Sequence, residues 1–226
     1  MKYFYSMKTQ LANLCILFLS SAFLSGCVDL AAQDSAKQLR TASYAKGDVY
    51  TMRGGLGGVF SKGMNTLQST LERDHEIRTA STVWYKANEL SDFIIHQYQT
   101  GKRRGPIVLI GHSLGANEQI NVAQRLYGAH IPVELLVTVE TVLPIKIPPN
   151  VKTALNLYQP SPIFVPMFSG LKVKAMDPHQ TKIENIDVST IKGISVNHFT
   201  IDKNTEVQKI MLQHILAVMN KPHKHH

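Results

Sequence analysis

A serine hydroxyl becomes a useful nucleophile only when a base takes its proton and donors wait for the oxygen anion that forms. The stretch Gly111-His112-Ser113-Leu114-Gly115 has the spacing for such a serine. It directly follows the apolar run Pro106 to Ile110, and it directly precedes Ala116, Ile120, Ala123 and Tyr127, which recur at helical spacing. A serine on so sharp a strand-to-helix turn needs small neighbours, which Gly111 and Gly115 supply. The helix start beneath it favours developing negative charge. G-x-S-x-G alone is a weak pattern, and a plain tight turn with an exposed serine is the ordinary alternative. Its place between a buried strand and an amphipathic helix is what gives it weight.

The flanking sequence supplies the elements that must hold this turn. Asp48 to Met52 is expected as a short strand, followed by the glycine-rich turn Arg53 to Gly58. Phe60, Met64, Leu67 and Leu71 then mark a helix. Glu76 to Val83 reads as a strand, and Ala87, Leu90, Phe93 and Ile94 as a helix closed by Gly101. Pro106 to Ile110 and Val133 to Val139 are continuous apolar runs, as expected of strands covered on both faces. Ala154 to Tyr158 is a weaker strand, and Ser161 to Ser195 offers no clear period. A last helix carries Val207, Ile210 or Met211, His214 or Ile215, and Val218. Strands alternating with helices predict an α/β fold: a mostly parallel central sheet with helices on both faces. Active groups then gather at the strands' C-terminal ends.

Pro106 to Ala116 resembles the nucleophile elbow of bacterial α/β hydrolases, the superfamily of lipases, esterases and thioesterases. Beyond the elbow, the resemblance is one of element order. It implies the order serine, acid, histidine along the chain, with Ser113 as nucleophile. His198, in a loop before the last helix, fits the base. His130 precedes a strand at the wrong sheet edge, His179 lies in unplaced loop sequence, and His112 reads as a packing or supporting residue. Glu118, Glu134, Glu140, Asp177, Glu184 and Asp187 are the acids between serine and histidine. Glu140 ends a strand at the active edge and is favoured by position. The family usually has Asp there, so Asp187 and Asp177 stay open as alternatives. The oxyanion donors expected are the N–H of Leu114 and one from the glycine-rich loop, at Gly55 or Leu56. That loop lacks the Gly-Lys-Ser/Thr of a phosphate cradle and the spacing of a dinucleotide site. No cofactor and no metal site is expected, and the segment Thr141 to Asn150 is too short for a cap domain.

Ahead of this domain, Lys2 and Lys8 precede an apolar run from Leu11 to Leu24 that is too short to span a bilayer. The run ends in Leu24-Ser25-Gly26-Cys27, which resembles the bacterial lipobox. That resemblance implies cleavage before Cys27 and lipid on the new N-terminal cysteine. The expected organisation is a lipoprotein signal peptide over 1–26, a tether over 27–46, the hydrolase-type domain over 47–220 and a His-rich tail over 221–226. The tail reads as a solvated end. Cys15 leaves with the leader, so no disulfide or thiol chemistry is expected of the domain. Val28 follows the cysteine, which by the usual Gram-negative sorting pattern points to the outer membrane.

The net charge is +8, of which Lys2 and Lys8 supply two. The remainder is spread thinly, without a basic stripe interleaved with aromatics, and nucleic acid is not an expected partner. No required protein partner is evident. The sequence supports three functional readings: a hydrolase of ester or thioester bonds, an acyltransferase on the same acyl-enzyme, or a binding lipoprotein that keeps the fold without turnover. Whether acid and base meet Ser113 discriminates the last from the first two.

Overall fold

The computed structural model describes residues 48–55, 58–102, 105–160 and 170–221. The expected leader, Cys27 and tether, the His-rich tail beyond Lys221, and Leu56 lie outside them. Six strands form one sheet: β1 (Asp48–Arg53), β2 (Thr79–Val83), β3 (Ile107–His112), β4 (Val133–Val139), β5 (Val151–Tyr158) and β6 (Lys182–Asp187). All pairings are parallel, in the order β2-β1-β3-β4-β5-β6. The chain moves one way from β1 to β2, and the other way from β3 onward. Neighbouring β1 and β3 therefore send their outgoing loops in opposite directions, which opens a crevice at their C-terminal ends.

Among the described residues, four helices cover the sheet: α1 (Gly63–His75), α2 (Ala87–Gln99), α3 (Leu114–Gly128) and α4 (Thr205–Met219). The strand period of two divides the apolar side chains between the faces. On β3, Ile107 and Leu109 join a core with Leu90 and Ile94 of α2 and Ile120 and Leu126 of α3. Val108 and Ile110 face the opposite core, with Met64, Leu67 and Leu71 of α1 and Val207, Met211 and Ile215 of α4. All four β3 side chains are at most 4% exposed, which is why this strand reads as an unbroken apolar run. The result is an α/β fold, a parallel central sheet with helices on both faces, as the element order predicted.

Several boundaries differ from expectation. Glu76 does not begin a strand: it ends α1 in the left-handed region at φ 56°, and Ile77 N–H bonds back to Leu71 O at 2.9 Å. Phe60 precedes α1 instead of lining its core stripe, and Tyr127 is 48% exposed at the end of α3. β5 begins three residues earlier than Ala154. The unplaced stretch contains β6, a sheet-edge strand whose residues are exposed or half-buried. β4 and β5 pair in parallel although residues 140–150 between them form no helix.

Candidate active site

Ser113 sits at the crossing of β3 and α3. Its backbone is held at φ 60°, ψ −128°, a region costly for any residue with a Cβ. Its N–H continues the β3–β4 ladder to Val139 O at 2.9 Å, and its carbonyl starts α3 by accepting from Ala116 N at 2.9 Å. The glycines around it are steric necessities. A Cβ on Gly111 would strike the backbone of Gly115, and one on Gly115 would lie 2.5 Å from Met52 O of β1. A Cβ on Gly54 would lie 2.6 Å from His112 O and 2.8 Å from Ser113 Cβ. The serine turn is thus wedged against the end of β1 and its outgoing loop.

Ser113, His198 and Glu140 come together. Ser113 Oγ lies 2.9 Å from His198 Nε2, and His198 Nδ1 lies 3.1 Å from Glu140 Oε2. An ionised carboxylate only accepts, so Nδ1 carries the proton and Nε2 is free to accept from the Ser113 hydroxyl. Glu140 is 1% exposed and takes its position from backbone geometry. It follows β4 in the left-handed region at φ 55°, and its N–H donates to Leu157 O at 2.9 Å. Its other oxygen, Oε1, accepts from Gln159 N–H at 2.5 Å. His198 is 6% exposed, in the loop before a short helical turn, Ile201–Lys203, that leads into α4.

Four of the other acids are engaged elsewhere. Asp187 caps the turn Val188–Thr190, accepting from Ser189 N–H at 3.0 Å and Ser189 Oγ–H at 2.6 Å. Asp177 precedes β6, at the far edge of the sheet, and accepts from His179 N–H at 2.9 Å and Gln180 Nε2 at 2.7 Å. These hydrogen bonds hold its carboxyl below the usual carboxylate range. Glu134 pairs with Lys152, and Glu184 with His214. In place of these alternatives, the structure sets Glu140 against His198.

Leu114 is the first residue of α3. Gly54 donates its N–H to Ser61 Oγ at 3.0 Å, so of the first two glycines in the loop after β1 only Gly55 keeps an N–H not used there. A Cβ on Gly55 would lie 3.3 Å from the Leu114 side chain, which places this loop beside the helix start.

Four supporting residues carried no signal in the sequence. Gly170 leaves the space that the Glu140 carboxylate fills: its Cβ would collide with Glu140 Oε1 and lie 2.9 Å from Tyr158 Cβ. Asn117 of α3 pins the chain after Glu140, accepting from Val142 N–H at 2.9 Å and donating to Leu143 O at 2.9 Å. Ser61 bonds the His112 ring at 2.8 Å. Asp202, fully buried, accepts from Gly63 N–H at 2.8 Å, and burial pushes its carboxyl up to about 6. Beside the site, the rings of Phe60 (40% exposed) and Phe199 (36%) meet at a tilt of 57°, centroids 5.1 Å apart, and Phe199 lies edge-on to the His198 ring at 5.4 Å.

Among the described residues, no group of three or more His, Cys, Asp or Glu could hold a metal ion, and no helix is long and apolar enough to cross a membrane.

Comparison with known proteins adds remote likenesses only. No family model matches the chain, and no curated protein matches it in sequence. Among solved structures it is similar to BorB, the type II thioesterase of the borrelidin biosynthetic cluster, at 11% identity and TM-score 0.41, over 76% of this chain and 94% of that one. YbtT, a type II thioesterase from the yersiniabactin pathway, aligns at 9% identity and TM-score 0.43, over 79% and 95% of the two chains. RedJ, a thioesterase of the prodiginine pathway in Streptomyces coelicolor, aligns at 13% identity and TM-score 0.41, over 79% and 96%.

Proposed function

We propose that this protein is a serine hydrolase that cleaves an ester or thioester through an acyl-enzyme on Ser113. The observation that carries the reading is the unbroken line Ser113 Oγ–His198 Nε2–Glu140, at 2.9 and 3.1 Å. In the first half-reaction His198 Nε2 takes the hydroxyl proton while Ser113 Oγ bonds to the carbonyl carbon. The oxygen anion faces the N–H of Leu114, with Gly55 or Leu56 as the second donor. One such donor contributes on the order of 3 kcal/mol in the transition state. Glu140 stabilises the imidazolium, which gives its proton to the departing alcohol or thiol as the acyl–oxygen or acyl–sulfur bond breaks. Water then repeats the sequence, with His198 as base, and releases the acid. Phe60 and Phe199 offer an apolar wall beside His198, which suits a substrate with an apolar group there.

The reading predicts one fluorophosphonate bound per chain and turnover of a short p-nitrophenyl ester. Ser113→Ala abolishes both. Labelling that persists in Ser113→Ala would place the nucleophile elsewhere. A folded wild-type protein that neither labels nor cleaves any ester or thioester would favour the binding-lipoprotein reading. An acyltransferase would label equally, and would be recognised by faster product formation on adding an acceptor alcohol.

Cys27 is proposed as the lipid attachment site that holds the domain at the cell envelope, at the outer membrane by the Val28 pattern. The support is the residue order Leu24-Ser25-Gly26-Cys27 after an apolar run. Cys27→Ala should release the protein into the soluble fraction or block its processing. Equal membrane retention of both forms would remove the anchor from the reading.

A further inference from the structure

His112 adjoins the nucleophile, yet it takes no part in the proton path from Ser113 through His198. It is the last residue of β3, 1% exposed, and both its ring nitrogens are engaged. Nε2 lies 2.8 Å from the His198 carbonyl and Nδ1 lies 2.8 Å from Ser61 Oγ. A carbonyl oxygen only accepts, so Nε2 carries a proton. Burial, then the nearby His198, drives the ring's pKa down to about 3, so it is neutral and Nδ1 is bare. Ser61 must therefore donate its hydroxyl proton to Nδ1. The Ser61 oxygen in turn accepts from Gly54 N–H at 3.0 Å. Every donor then runs in one direction: Gly54 to Ser61, Ser61 to His112, His112 to the backbone of His198.

We propose that Ser61 and His112 are positioning residues, a buried one-way hydrogen-bond relay that sets the oxyanion loop and the base in register about Ser113. The proposal rests on the hydrolase reading. The relay starts at the residue before Gly55, one proposed donor site, and ends on the main chain of His198. Acyl transfer needs both ends placed to a few tenths of an ångström, and an error of 1 Å costs about 100-fold in rate. The relay also keeps a neutral ring next to the base: the two imidazole centroids are 5.2 Å apart. A charged His112 would oppose the imidazolium that His198 must become. Asp202 ties the same two segments a second time, through Gly63 N–H. Loss of Ser61 should therefore loosen the register without undoing the fold.

The test is Ser61→Ala, with His112→Ala, His112→Gln and the double Ala variant beside it. Ser61→Ala strands His112 Nδ1 and Gly54 N–H. It should lower kcat and the rate of fluorophosphonate labelling together, by about 10- to 100-fold, with KM within about threefold and a cooperative melt. Gln keeps an amide donor for the His198 carbonyl and should recover most of the rate lost in His112→Ala. Because the two residues act as a unit, the double variant should be about as slow as His112→Ala alone. Labelling and kcat within about twofold of wild type in folded Ser61→Ala would overturn the relay, as would losses that multiply in the double variant. A wild-type protein that never labels refutes the hydrolase reading separately. The relay is then decided by nitrogen NMR of His112. A neutral, Nε2-protonated ring through the region of 6.5, where imidazole ordinarily titrates, supports it, and ordinary titration overturns it.

Discussion

Ser113 and Glu140 stand at matching places on adjacent strands. His112 and Val139, the last residues of β3 and β4, are register partners, and each is followed by a turn to positive φ, 60° at Ser113 and 55° at Glu140. Each then donates its N–H to the next strand, Ser113 to Val139 O and Glu140 to Leu157 O, both at 2.9 Å. Past the two turns the chain takes different courses. After Ser113 a helix begins at once, and the side chain stands at the crevice half-exposed. After Glu140 the chain runs on as a loop held by Asn117, and the carboxylate points into the protein. One backbone device, used twice in neighbouring strands, presents a hydroxyl to solvent and hides the charge behind the histidine that joins them.

Substitutions at the two turns test that division most strongly. Ser113→Ala should lower kcat on the order of 10^4-fold or more, and Glu140→Gln by about 10^3- to 10^4-fold with the fold intact, because an amide cannot stabilise the imidazolium. A Glu140→Gln enzyme within about tenfold of wild type, beside an inert Ser113→Ala, would dissolve the pairing. The glycines that make room come next. Gly54→Ala presses on the Ser113 turn and Gly170→Ala on the Glu140 carboxylate. Each should reduce turnover by roughly 10- to 100-fold, and Gly170→Ala should also lower the melting temperature through overpacking.

A second buried carboxylate sharpens the contrast. Glu140 faces a histidine, whereas Asp202 faces Gly63 N–H and its Oδ1 has no hydrogen-bond partner among the described residues. With its pKa raised from 3.8 to about 6, Asp202 keeps a proton in the native protein that the unfolded chain has already lost. Its contribution to stability therefore falls as pH rises between these values, by on the order of 3 kcal/mol, and is lowest above about 6. Asp202→Asn should remove this slope in denaturant titrations run from about pH 4 to pH 7. A slope that survives would assign it to other groups. The smallest effect concerns backbone strain. Ser113→Gly should be more stable than Ser113→Ala by about 1 kcal/mol, because glycine accepts φ 60°, ψ −128° freely.

The two turns also differ in how far they can be read from sequence. The serine turn is announced within five residues, since Gly111 and Gly115 clear the contacts that the turn itself creates. Glu140 could be placed only by its position after an apolar run. Its companion Gly170 lies thirty residues on, and nothing in the spacing connects them. Asp187 and Asp177 stay open as alternatives in the sequence, and the fold assigns their carboxylates to local turns. β3 and β4 were legible because both faces are covered, while β6 escaped because an edge strand with Lys182, Glu184 and Asn185 has little reason to be apolar. Ile77, as a β-branched residue, invites a strand assignment, although it is buried and bonds back to the end of α1. The relay through Ser61 was invisible for the same reason as Gly170: its partners are 51 and 86 residues apart across the His112 ring.

The hydrogen bond from Ser113 to Val139 has a consequence for how the protein fails. Amides in a central ladder exchange with solvent only when the whole sheet opens, whereas loop amides exchange through local fraying. The Ser113 amide belongs to the first class. On warming or in denaturant, the serine should keep its place until the sheet itself gives way, so that deuterium uptake at Ser113 would follow β3 and not the loops around it.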